Sequence, residues 1–279
     1  MKTSNKLLIA FAAALIIVPI LSMVYISKAY YIDGKSWSNL QKQNETFDGV
    51  SENMKAIPLS QFNSINIVDG KEVGLYIYLI KDKKFGVKVN KNDKDDVNFS
   101  VDNDGKLQIQ LKNQNKEYRF INIFVYAPDT KSLSATNVSS LELNAKGDSL
   151  AVSLKKFEQL RFASNTKFEK LNINTEGGYI NVDGVSIAKS VNLNLKNANF
   201  RSAGTSFEDL NIASTGKSEI DVFGGNSSKE KYSVKNLTLK TVDSANVSFR
   251  SIAILDTRGS LSDQTTVQLP VSSLRQLIK

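Results

Sequence analysis

Between residues 131 and 279 the apolar positions of this chain fall in short triplets, apolar–polar–apolar, that return at a nearly fixed interval. One set reads Leu171-Asn172-Ile173, Val191-Asn192-Leu193, Leu210-Asn211-Ile212 and Leu237-Thr238-Leu239. The first three begin 20 and 19 residues apart; the fourth follows after 27, the excess lying in the insertion GGNSSKEKY at 224–232. A second set trails the first by nine or ten residues: Ile180-Asn181-Val182, Phe200, Ile220-Asp221-Val222 and Val247-Ser248-Phe249. Leu141-Glu142-Leu143 and Leu150-Ala151-Val152 show the same offset earlier in the chain. Alternation of this kind is the period of a half-buried strand. A repeat near twenty residues without helical spacing predicts stacked β coils, a β-solenoid.

Such coils must stack. The few aliphatic side chains that one coil turns inward cannot offset the entropy of ordering some twenty residues. Neighbours complete the core and satisfy the backbone, layer on layer. The phrase FEKLNINTEG at 168–177, echoed as FEDLNIASTG at 207–216, is then one column sampled two layers apart. Phe168 and Phe207 are expected at the corner before the strand, with Val234 in that place two coils later. Asn172, Asn192 and Asn211 are expected to stack as an amide ladder, and Gly177, Gly178, Gly184, Gly216 and Gly224 to make turns. A leucine-rich repeat shares the period but needs a helical segment in each unit. The β-branched, glycine-punctuated second halves (YINVDGV, KSEIDVFG) favour the solenoid.

Residues 57–130 read as a strand-rich start to the same head. Val73, Leu75, Ile77 and Leu79 alternate with Gly74, Tyr76, Tyr78 and Ile80, giving a strand with one strongly apolar face. Val97, Phe99 and Val101 lead through Asn103-Asp104-Gly105 to Leu107, Ile109 and Leu111, a hairpin signal because glycine accepts the turn's positive φ. FINIFVYAP at 120–128 is apolar on both faces and predicts a buried strand ended by Pro128.

Ahead of the head, residues 7–27 form an uncharged apolar run, long enough as a helix to reach about 30 Å across a bilayer core. A cleavable signal peptide would have a shorter apolar region, although Ser27 and Ala29 resemble a cleavage site. The run therefore predicts a single-pass anchor in residues 1–29. The short head keeps the amino terminus inside and exports the rest. Residues 30–56, holding the only tryptophan, Trp37, read as a juxtamembrane linker before the solenoid head of 57–130 and 131–279.

Composition narrows the chemistry. The 279 residues contain no cysteine and no histidine, which removes thiol nucleophiles, disulfides, the usual zinc sites and every His-based triad. The net charge of +8 comes from lysines interleaved with acids, as in KDKKFGVK and KNDKDD. It favours anionic partners in general but lacks the clustered arginines and aromatics of a nucleic-acid reader. Asp102 and Asp104 do not fit the calcium-loop spacing and read as turn chemistry. Tyr76 and Tyr78 share one strand face and are the candidate binding residues, by stacking on a sugar; the alternative is that they simply cover the sheet. No catalytic, metal or cofactor residues stand out. A carbohydrate-active enzyme would need paired carboxylates, for which Asp183 and Asp221 are the nearest to a common column.

Taken in order, LSQFNSINIVDGKEVGLYIYL, VNFSVDNDGKLQIQL, FINIFVYAPDTKSLSATNVSSLEL and the triplets make residues 58–270 resemble the head GIN domain family of auto-transporter adhesins. The shared features are a Phe-x-x-Ile-x-Val opening, a strand pair ending in Gly-x-Leu-x-Ile, and a strand closed by proline before the coils. The resemblance implies a right-handed parallel β-helix on an exported protein, often from Bacteroidota, with no catalytic residues to carry over. Two departures stand out. Ala135-Thr136-Asn137-Val138-Ser139 replaces a Gly-Ser-Gly-like motif, and an anchor replaces the commoner cleavable signal. The expected function is a membrane-tethered, extracytoplasmic binding, adhesion or scaffolding module, periplasmic in a Gram-negative cell, with a glycan or envelope protein as ligand. The alternative is a polysaccharide lyase or hydrolase.

Overall fold

The computed structural model describes residues 3–30, 44–112, 120–183, 188–225 and 232–277. Trp37, Gly184 and most of the 224–232 insertion lie outside the described residues. Two compact units separate, one of residues 1–45 and 49–51, the other of residues 46–48 and 52–279.

The first unit holds helix α1, Thr3–Tyr30, with Pro19 inside it. Ser22 Oγ donates to the Val18 carbonyl at 2.8 Å, one turn back. Among the described residues no helix is long and apolar enough to cross a membrane. The anchor expected over 7–27 is therefore not supported by the structure, and several of its side chains (residues 7–10, 13–14 and 26–27) lie outside the described ones.

The second unit is all-β, with its strands joined in one mostly parallel sheet that curls over a shared core. Its strands are β1 (Met54–Pro58), β2 (Ser64–Ile67), β3 (Gly74–Lys81), β4 (Gly86–Asn90), β5 (Val97–Val101), β6 (Lys106–Leu111), β7 (Phe120–Ala127), β8 (Ser132–Phe162), β9 (Lys167–Glu176), β10 (Tyr179–Asp183), β11 (Ala188–Lys196), β12 (Asn199–Ala203), β13 (Phe207–Thr215), β14 (Ser218–Phe223), β15 (Ser233–Thr241), β16 (Ala245–Arg250), β17 (Ala253–Ser260) and β18 (Thr266–Gln268). A short helix α2, Val271–Leu277, follows.

Two ladders organise these strands. The first runs from the β5–β6 hairpin through β2 to the start of β8. It continues through residues 146–155 of β8 to β9, β11, β13, β15 and β17, all parallel. The second begins antiparallel, β1–β4–β7, then runs parallel through β3 and residues 140–145 of β8. Residues 159–161 of β8 then lead to β10, β12, β14, β16 and β18.

The registers match the apolar repeat. Leu150, Leu171, Val191, Leu210 and Leu237 are successive partners in the first ladder. Leu160, Ile180, Phe200, Ile220 and Val247 are successive partners in the second. All ten are at most 2% exposed. Each inward position thus packs on its equivalents above and below, which is why the same residue type recurs. Among the described residues of 131–260 none is helical, which removes the leucine-rich alternative.

Four expectations need correction. Leu141 and Leu150 do keep their offset, but in reverse order: Leu141 pairs with Leu75 in the second ladder and Leu150 with Leu171 in the first. Val234 sits one layer after Phe207, as its direct partner, because the 27-residue step joins neighbouring strands of the ladder. The turn at Gly224 is made by Gly225, at φ +94°, while a Cβ on Gly224 would run into the Ser251 carbonyl. Part of the expected linker belongs to the head, since β1 starts at Met54 and pairs with β4.

The corner from the first ladder to the second is left-handed at five successive steps, from β8 to β14, but not at residues 242–244 between β15 and β16. Asn137, Lys156, Asn197 and Gly216 have φ of +59°, +50°, +50° and +71°, and the fifth corner uses Gly177 and Gly178. Non-glycine residues rarely enter this region, asparagine most readily. At the amino-terminal end, residues 46–48 strap across β4 and β7. Phe47 N–H donates to Asp82 Oδ2 at 2.8 Å, its ring meets Tyr126 edge-on at 5.5 Å, and Gly86 leaves room for it. Buried Lys88 donates to the Thr46 carbonyl at 2.9 Å, and burial lowers its pKa against the pull of Asp48 and Asp82.

Candidate functional site

Tyr76 and Tyr78 lie on the outer face of β3, between β7 and β8. Tyr78 is only 7% exposed and stacks on Phe124 with ring centroids 4.3 Å apart and planes within 10°. One ring face is thus occupied by protein. Burial, then the nearby Glu142 carboxylate, pushes its phenol pKa up. Tyr76 is half-buried, tilted against the exposed ring of Phe120 at 5.1 Å. Its strand partner is Glu142, which burial pushes above the usual carboxylate range while Arg161 pulls it back. The pair expected to act together is therefore divided: Tyr78 covers the sheet, and Tyr76 reaches the surface beside an acid and an arginine.

The outer face of the first ladder is different in kind. Its centre is the expected amide ladder: Asn192 Nδ2 donates to Asn172 Oδ1 at 2.7 Å and Asn211 Nδ2 to Asn192 Oδ1 at 2.8 Å. Register then places Thr238 next, and Arg258 Nε closes on its hydroxyl at 3.1 Å. A second rung pair, Asn194 to Asn174 at 2.6 Å, runs alongside. Beyond these, the strand ends carry a charged column in which Lys155 and Lys196 both pair in register with Glu176. Lys196 Nζ lies 2.9 Å and Lys155 Nζ 3.9 Å from its carboxylate. The hydrogen bond and charge of Lys196 hold Glu176 below the usual carboxylate range.

Together these strand ends line a groove of about 390 Å³ crossing β8, β9, β11, β13 and β15, with Ala213, Lys240 and Val242 also in its lining. Sequence reading found the amides and missed the lysines. The signal was present: extending each triplet of β8, β9 and β11 by three positions lands on Lys155, Glu176 and Lys196.

Asp221 and Asp183 do not converge. Both carboxylate oxygens of Asp221 accept from Arg250 Nη2, at 2.8 and 3.0 Å. Asp183 pairs with Ala203 and belongs to the column of Phe223, two residues along the strand from Asp221. Among the described residues no group of three or more acids is placed to hold a metal ion.

The family model described as "Putative auto-transporter adhesin, head GIN domain" matches residues 61–236. The chain belongs to the head GIN domain family. The head GIN match spans β2 through the first four residues of β15, so it takes in Tyr76 and the groove lining other than Lys240 and Val242. No curated protein matches the chain in sequence. Among solved structures, a putative adhesin from Parabacteroides distasonis shares 16% identity, covering 80% of this chain and 94% of that one, with a TM-score of 0.42. A putative adhesin from Bacteroides fragilis shares 13%, covering 76% and 98%, with a TM-score of 0.39. A putative lipid binding protein, also from Parabacteroides distasonis, shares 16%, covering 74% and 95%, with a TM-score of 0.32.

Proposed function

We propose that this head GIN protein is a membrane-tethered, extracytoplasmic binding or adhesion module: a right-handed β-helix that holds a glycan or an envelope protein and performs no chemistry on it. The observation that carries the reading is the groove of about 390 Å³ along one sheet face, where lysines and asparagines border apolar lining from Leu154, Leu195, Ala213 and Val242. A rigid ladder presents the same group at the same height in each layer, which suits contact with an extended partner. Family membership, through the adhesin description, supports the same reading.

The tether is part of the proposal. Leu15, Ile16, Ile17, Val18, Ile20, Leu21, Met23, Val24 and Tyr25 of α1 are all exposed. Apolar surface on that scale calls for lipid or protein to cover it. Extraction of membranes with alkaline carbonate should leave the full chain in the pellet; release into the supernatant removes the tether. The binding reading is tested by a glycan array and by cross-linked pull-down from envelope fractions. Specific retention of one ligand is expected. Appearance of new reducing or unsaturated ends on incubation with polysaccharides would replace a binding module by an enzyme.

A further inference from the structure

We infer that the groove on the first ladder takes a linear acidic polysaccharide, one carboxylate for every two sugar rings. This deepens the binding reading and rests on it.

The cations in the groove recur at every second layer. Lys155 pairs in register with Glu176, and Glu176 with Lys196, so the two lysines are two layers apart. Lys196 pairs with Thr215, while Lys240 pairs with Ala213 on the same strand as Thr215, so Lys240 is two layers further on and two residues to the side, in the column of Asn194. At roughly 4.8 Å per layer, a cation recurs about every 10 Å along the ladder. One pyranose ring is about as long as one layer, so a chain with an acid on every second ring meets a lysine at each carboxylate.

Charge and surface agree with that occupant. The groove carries Lys155, Lys196 and Lys240 against Glu176 alone. Both Lys155 and Lys196 are more than half exposed, leaving them open to a ligand. In the column beside them run Asn174 and Asn194, whose mutual hydrogen bond leaves each amide a further donor or acceptor for sugar hydroxyls. No aromatic ring is among the described lining residues, so the groove offers no platform for stacking bases.

Glu176 makes the inference testable in both directions, because it opposes a polyanion and competes for both lysines. The experiment is calorimetric titration of the full chain in detergent micelles with a hyaluronan octasaccharide, at low and high salt. Hyaluronan should bind more tightly than dextran of similar length, and more weakly at high salt. Lys155→Gln/Lys196→Gln/Lys240→Gln should weaken binding about tenfold, whereas Glu176→Gln should tighten it about threefold. A triple of the same charge elsewhere, Lys55→Gln/Lys91→Gln/Lys94→Gln, should leave binding unchanged. The inference is overturned if both triples weaken binding equally, if Glu176→Gln weakens it, or if poly-glutamate binds as tightly as hyaluronan. Binding of dextran or of an envelope protein with hyaluronan silent overturns the inference and leaves the binding module standing. Silence toward every glycan and every envelope fraction defeats both.

Discussion

Asn137 Nδ2 donates to Asp69 Oδ1 at 2.7 Å, tying the corner at 135–139 to the turn before β3. The contact is dense around this one carboxylate. Lys71 Nζ sits 2.6 Å from Oδ2, and the Lys71 backbone N–H donates to Oδ1 at 3.0 Å. The backbones interlock as well, Gly70 N–H donating to the Thr136 carbonyl and Glu72 N–H to that of Asn137. Here the chain departs from the family's small-residue motif, and the geometry explains why asparagine serves. Position 137 needs a positive φ, which asparagine tolerates, and its amide adds a hydrogen bond that glycine lacks.

Asn137→Gly should keep the backbone and lose the amide, costing about 0.5–1.5 kcal/mol. Asn137→Val also forces a β-branched residue into the left-handed region, and should cost roughly 1–3 kcal/mol more. Urea denaturation of the two variants side by side checks the order. Equal stability of the two would mean that the corner is not conformationally selective.

Asp69 gives a pH dependence of definite sign. The Lys71 side-chain and backbone hydrogen bonds, then that of Asn137, hold its pKa down at about 2 in the folded protein. A depressed folded pKa contributes stability that is present above the unfolded value and lost as pH falls through the folded one. The stability gap between wild type and Asp69→Asn should therefore narrow between about pH 4 and about pH 2. Thermal melts across that range measure it. A constant gap would show that the charge of Asp69 does not matter.

In the amide ladder, Asn192 is both donor and acceptor. Asn192→Leu removes both bonds and strands half-buried amides on Asn172 and Asn211, so it should cost about 1–3 kcal/mol. That lowers the melting temperature by several degrees in a domain of this size. Asn194→Leu, with one such bond on an exposed rung, should cost less. The opposite order would count against the ladder as a source of stability.

Two adjacent glycines differ in why they are glycine. Both have positive φ, but a Cβ at Gly177 meets open space, whereas at Gly178 it meets the Phe157 ring. Gly177→Asn should therefore change stability by under about 1 kcal/mol. Gly178→Asn should cost about 1–3 kcal/mol by pushing on a 6%-exposed phenylalanine. Differential scanning calorimetry of both variants decides between conformational and steric need.

The repeat was legible in the sequence because each inward side chain stacks on its own equivalents, so that Leu171, Val191 and Leu210 had to be alike. Corners were legible only where glycine made them. Asn137, Lys156 and Asn197 adopt the same left-handed φ without any compositional mark. The reversed order of Leu141 and Leu150 follows from β3 pairing with β8, a contact some 66 residues long in sequence that no local pattern encodes. Tyr76 and Tyr78 looked equivalent for the same reason. Only their neighbours on β7, Phe120 and Phe124, decide which ring is covered.

The last strand of the first ladder does not end in an open edge. Gln276 of α2 accepts from the Thr257 N–H at 2.6 Å and donates to the Leu255 carbonyl at 3.4 Å, standing in for the strand that would come next. A parallel ladder has no intrinsic length, and an uncovered edge strand invites another strand to continue it. A seven-residue helix carrying one glutamine occupies that place, so another strand could extend the first ladder there only by displacing α2.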